Sequence, residues 1–123
     1  MAEKPYARWQ VLEPGLPEVK FSGLIVPTLD DFKDEVQAVL DEVLKLLKAY
    51  NGAWTWWNIK KAVLMFVSDP ADHDACEEII NRLYVDALNA AGMTDEKERP
   101  ARVMERVAGL PKKARFEIVI TAQ

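Results

Sequence analysis

The sequence predicts an α+β fold, a two-layer sandwich with helices packed on one face of a small mixed sheet, in the order β-α-β-α-α-β. Three observations predict it. Apolar residues recur at helical spacing through residues 28–50. A continuous apolar run of strand length follows at 63–67. Apolar and polar residues then alternate along 114–121. A helix face that is apolar over several turns has to be covered, and half-apolar strands supply the cover.

Residues 1–18 contain Pro5, Pro14, Gly15 and Pro17 and read as an irregular N-terminal arm. Within it a short strand is expected at 8–12, with Trp9 docking the arm. Residues 19–123 read as a single α+β domain. Residues 19–26 form its first strand, with Val19, Phe21 and Ile25 on one side, Gly23 marking a bulge or a close backbone approach, and Pro27 ending the strand. Leu29, Phe32, Val36, Val39, Val43, Leu46 and Tyr50 then trace a helical seam, widened by Leu40, Leu44 and Leu47. Thr28 is the expected N-cap. Asp30, Asp31, Asp34 and Glu35 favour the positive end of the helix dipole, and Lys45 and Lys48 favour the other. Asn51-Gly52 is expected to stop the helix in a left-handed conformation.

The run Val63-Leu64-Met65-Phe66-Val67 suits a strand buried on both faces. Asp69 or Ser68 should cap the next helix, with Pro70 in its first position. Ala75, Cys76, Ile79, Ile80, Leu83, Ala87, Leu88 and Ala91 form that helix's core face, and Gly92 ends it. Thr94 is expected to cap a further, shorter helix that bends at Pro100 and closes at Leu110-Pro111. Phe116, Ile118 and Ile120 point inward from a half-exposed final strand.

Half of the 123 residues are apolar and 29% are charged, the ordinary globular range for one domain. No apolar run approaches the roughly 20 residues a bilayer span needs, and the start lacks the apolar core of a signal peptide. One cysteine, Cys76, excludes an internal disulfide and suits a reducing compartment. A cytoplasmic location, or a particle assembled there, is expected. The net charge of −4 is uneven. Residues 1–94 carry 9 basic and 15 acidic groups, and residues 95–123 carry 7 basic and 5 acidic. An acidic body disfavours non-specific nucleic-acid binding.

Three groups of residues could carry function. Trp54, Trp56 and Trp57 fall within four positions; on a strand two share a face and the third points away. An exposed indole suits a protein hot spot or a stacking platform for single-stranded nucleic acid. Arg99, Arg102 and Arg106 have helical spacing and would form a basic stripe, followed by Lys112, Lys113 and Arg115. Asp72-His73-Asp74, with Asp95-Glu96 downstream, could hold magnesium and activate water against a phosphodiester. Acidic residues at a helix start also answer the dipole alone. His73, the single histidine, reads as a helix-start residue, and Cys76 as a small core residue.

The stretch from the apolar strand through Asp72-His73-Asp74, Asp86-Ala87-Leu88-Asn89-Ala90-Ala91-Gly92, Asp95 and Phe116-Glu117-Ile118-Val119-Ile120-Thr121 resembles RusA-type Holliday junction resolvases. That resemblance implies a small dimer with Asp72, Asp74 and Asp95 as magnesium ligands. Ala75-Cys76 stand where the family has asparagine, and Glu77 and Glu78 stand where it has lysine.

The expected function is therefore a non-catalytic protein–protein interaction or assembly module with no cofactor. A phage or mobile-element accessory protein fits, such as a tail or neck component or an anti-defence inhibitor. It would use Trp54, Trp56, Trp57, Arg99, Arg102 and Arg106 against a protein partner or a second copy of itself. The alternative is a magnesium-dependent RusA-like junction endonuclease.

Overall fold

A computed structural model describes residues 6–11 (as backbone), 18–27 and 30–123. The order is β1 (Tyr6–Val11), β2 (Val19–Ile25), α1 (Phe32–Tyr50), β3 (Ile59–Phe66), α2 (His73–Ala90), β4 (Ala101–Arg106) and β5 (Phe116–Ala122), with single 3-10 turns between. The strands form one mixed sheet in the order β1-β2-β5-β3-β4. Only β3 and β4 run parallel, joined by the α2 crossover; the other neighbours are antiparallel. Both helices pack on one face, so the predicted α+β sandwich stands. No helix among the described residues is long and apolar enough to cross a membrane.

The core lies between that face and the helices. Val36, Val39, Leu40, Val43 and Leu47 of α1 and Ile80, Leu83, Tyr84 and Leu88 of α2 meet Val19, Phe21, Leu24, Ala62, Leu64, Phe66, Phe116, Ile118 and Ile120. Leu46 is only half-buried, and Tyr50 is exposed at the rim, its ring 5.1 Å from Trp54 and 5.7 Å from Phe21. Gly23 has φ 76°, and the β2–β5 register shifts between Phe21 and Leu24. This is the predicted bulge, with a consequence the alternation hides. The extra residue reverses the parity, so Leu24 rather than Ile25 joins Val19 and Phe21 on the helix side.

Several local expectations change. Asp31 caps α1, accepting from the backbone N–H of Lys33 at 2.8 Å and Asp34 at 3.3 Å. Thr28, Leu29 and the Trp9 side chain lie outside the described residues. The α1 C-cap, Asn51, is extended (φ −147°) rather than left-handed, and its Oδ1 accepts from Ala53 N–H instead. Asp69 and Pro70 open a 3-10 turn ahead of α2, whose N-cap is Asp72. β3 is buried on one face only, because Val63 and Met65 point to the side that no helix covers.

The third helix does not form. Asp95 caps a single 3-10 turn, Glu96–Glu98, and the chain enters β4 after Pro100. Parallel pairing with β3 (Ala62↔Arg102, Leu64↔Met104) decides the outcome, since an edge strand beside β3 satisfies a backbone ladder that a short helix there would leave open. Leu110-Pro111 leads into another 3-10 turn, with Lys112 and Lys113 left-handed.

One polar element fastens the layers. Glu35, fully buried on α1, accepts from the backbone N–H of Arg115 (2.7 Å) and Phe116 (3.2 Å) and from Arg115 Nε (2.9 Å). A buried carboxylate survives because three donors answer it.

Candidate functional site

The tryptophans do not lie on a strand. Thr55 caps a 3-10 turn over Trp56–Asn58, so the three indoles separate. Trp56 is buried in the core against Tyr84, with ring centroids 6.2 Å apart. Trp54 is half-buried against Tyr50. Trp57 is 45% exposed, yet its Nε1 donates to Ala91 O at 2.8 Å, which caps the end of α2. One indole therefore reaches solvent as an anchored side chain, and the three make no common platform.

The acidic candidates do not converge. Asp72 and Asp74 sit at the start of α2, and Asp95 lies beyond its end. An 18-residue helix separates them by about 27 Å. Among the described residues no three of His, Cys, Asp and Glu stand close enough to hold a metal ion. His73 Nε2 lies 3.2 Å from Glu77, and its ring packs 5.3 Å from Phe66. Cys76 packs against the core, and burial pushes its thiol pKa up, which keeps it protonated and a poor nucleophile.

The arginines divide. β4 places Arg102, Met104 and Arg106 on the helix side of the sheet, because Val103 pairs with Val63 on the uncovered side. Arg106 borders an open hollow of about 910 Å³ with Asp69 and Asp72, where opposite charges offset one another. Arg99 and Arg102 instead share a cavity of about 450 Å³ between α2 and the β4 edge, with Asn81, Tyr84, Leu88 and Glu96 also on its wall. Each guanidinium is held in place. Arg102 Nη1 donates to Asn81 Oδ1, and the group lies 5.9 Å over the Tyr84 ring. Arg99 Nε donates to Met93 O at 3.1 Å, and its Nη2 to Asn89 Oδ1 at 2.9 Å. Asn81, Tyr84 and Leu88 follow one another at spacings of three and four, so one α2 stripe builds the wall.

Tyr84 is 2% exposed, and its hydroxyl has no hydrogen-bond partner among the described residues. Burial pushes its pKa up to about 12 against the pull of Arg102 and Arg99, so the phenol keeps its proton. Arg99 and Arg102 thus set two held cations at one cavity, an arrangement chemically suited to a small anion. The sequence already placed Arg99 and Arg102 close together. It did not show Asn81 and Tyr84, whose part depends on which strand lies beside α2.

The other sheet face carries Val63, Met65, Val103, Glu105, Glu117 and Val119, none beneath a helix. Val103 is 39% exposed. Glu117 stands opposite Met65, which stands opposite Glu105. Glu117 is only 8% exposed, and burial raises its pKa. A carboxyl that keeps its proton beyond the usual range is a feature of proton-handling sites. Sequence reasoning passed over it as an outward strand residue. The available signal was Val119, an apolar residue among the outward positions of β5.

The family model for endoribonuclease L-PSP matches residues 16–123. Among solved structures, Escherichia coli TdcF with bound serine is 25% identical, with 98% of this chain and 89% of that one covered and a TM-score of 0.68. The E. coli YjgF gene product is 23% identical, with coverage of 96% and 87% and a TM-score of 0.71. RidA from the Antarctic bacterium Psychrobacter sp. is 20% identical, with coverage of 85% and 79% and a TM-score of 0.63. No curated protein sequence matches the chain. These findings overturn the RusA-type resemblance and, with it, the junction endonuclease. They also overturn the phage-type assembly module.

Proposed function

The chain belongs to the endoribonuclease L-PSP family, and from that premise we propose that it acts on a small amino-acid-like molecule bearing a carboxylate, with hydrolytic deamination as the reaction. The family is one of small-molecule deaminases and endoribonuclease-like proteins. The observation that carries the reading is Arg102, held by Asn81 and Tyr84 at a cavity it shares with Arg99. A guanidinium held this way is suited to a carboxylate. TdcF, whose solved structure contains serine, lends support. The acidic balance of the chain favours a small ligand over a polyanion such as RNA.

Hydrolytic deamination adds water to the carbon of a C=N bond and expels ammonia, and it needs a group that can give and take a proton. Glu117 is suited to that role. Arg102 and Glu117 lie on opposite faces of the sheet, so within one copy they do not share a ligand. The proposal therefore includes a homo-oligomer whose copies meet through the uncovered face, where Val63, Met65, Val103 and Val119 present apolar surface.

Calorimetric titration with serine, paired with ammonia release from an imine made in solution, tests this. Saturable binding weakened at least about tenfold by Arg102→Ala is expected. Sedimentation should show more than one copy per particle. RNA cleavage that Arg102→Ala leaves intact, without amino-acid binding, would overturn the reading in favour of a nuclease.

A further inference from the structure

We propose that the cavity at the β4 edge selects an acidic amino acid or a close derivative, a ligand with one amino group and two carboxylates. The inference rests on the reading of that cavity as the ligand site and adds which molecules it prefers.

Three charges line the cavity: Arg99, Arg102 and Glu96. Among the described residues, Glu96 forms no ion pair with either arginine. Pro100 and Ala101 lie between the two arginines, and the proline ring fixes φ at the first of them. Their existing bonds leave donors free for a ligand. Arg99 uses Nε and Nη2, so Nη1 remains, and Arg102 uses Nη1, so Nε and Nη2 remain. Asn89 and the Met93 carbonyl hold Arg99 independently of the Asn81 contact that holds Arg102. The site therefore presents two separate cationic points rather than one mobile charge.

The complement of two cations and one anion is two anions and one cation. An amino dicarboxylate has that pattern, with one carboxylate on each arginine and the ammonium on Glu96. A neutral amino acid such as serine leaves one guanidinium unanswered. A plain dicarboxylate such as succinate, or inorganic phosphate, can answer the guanidiniums but brings no cation to Glu96. Tyr84 gives the same wall its ring, over which the Arg102 guanidinium is held. About 450 Å³ lies within the range of small-molecule sites.

The test is a calorimetric series on the full-length protein with glutamate, aspartate, serine, alanine, succinate and inorganic phosphate. Glutamate or aspartate should bind about tenfold or more tightly than serine, alanine, succinate and phosphate, the discrimination one charge-assisted hydrogen bond supports. Arg99→Gln should abolish the preference over serine while serine still binds. Glu96→Gln should abolish the preference over succinate. Equal affinity for glutamate and serine, with both lost in Arg102→Ala, overturns this inference and leaves the proposed function standing. Absence of amino-acid binding altogether overturns both. The series on the unmodified protein decides the matter even where a variant fails to fold.

Discussion

Replacing Glu35 by alanine should destabilise the protein more than any other single change at a charged residue. The carboxylate is fully buried and accepts three hydrogen bonds, two from the backbone at the start of β5 and one from Arg115 Nε. Glu35→Ala leaves those two N–H groups without an acceptor beneath α1, and it removes the carboxylate from Arg115 Nε, whose Nη2 still donates to Asp30 O. Hydrogen bonds to a charged group contribute about 1.5–3 kcal/mol each. The Arg115 side chain is 36% exposed, so water recovers much of its share. Breaking a buried pair costs about 3–5 kcal/mol, and with that discount about 3–4 kcal/mol is expected. For a chain of this length the melting temperature should fall by roughly 10–15 °C. Arg115→Ala should cost less, about 1–2 kcal/mol, because the carboxylate keeps both backbone donors. Urea denaturation of the two variants measures the difference. If Arg115→Ala costs as much as Glu35→Ala, the backbone bonds are not what anchors α1 to β5, and the reasoning fails.

Other outcomes are open to measurement. Glu117 has a raised folded-state pKa, so the folded protein holds a proton the unfolded chain releases first. Its contribution is complete below the ordinary value of 4.5 and fades as pH rises through the raised value. Glu117→Gln should flatten that decline in a series of melting curves from acid to neutral pH, and parallel curves for the two proteins would count against the burial argument. Tyr84→Phe removes an unpartnered buried hydroxyl, so stability should stay within about 1 kcal/mol of the parent or rise; a larger loss by urea titration would reveal a partner for that hydroxyl. Trp57→Phe deletes the bond to Ala91 O and should cost about 1 kcal/mol. Trp56→Ala opens the core and should cost about 3–5 kcal/mol; equal losses for the two would contradict their different burial. Magnesium should leave the melting temperature unchanged, as α2 holds Asp95 far from Asp72 and Asp74; a shift abolished by Asp74→Asn would refute that.

The sequence alone determined what depends on near neighbours along the chain. The α1 stripe, the 116–120 alternation, the bulge at Gly23 and the close spacing of Arg99 and Arg102 are local patterns, because helical and strand periods are written in consecutive residues. Tertiary structure decided whatever depends on which element lies beside which. Residues 95–106 have arginines at helical spacing, yet the open edge of β3 offered a ladder that drew residues 101–106 into a strand. A strand would put Trp54 and Trp56 on one face and Trp57 on the other, but a 3-10 turn sends Trp56 into the core and Trp57 to the end of α2. Asn81 and Tyr84 acquire meaning only when β4 packs beside α2, and Glu117 only because no helix covers its face. Each of these contacts joins residues far apart in the chain, and neither spacing nor composition encodes which distant strand will arrive there.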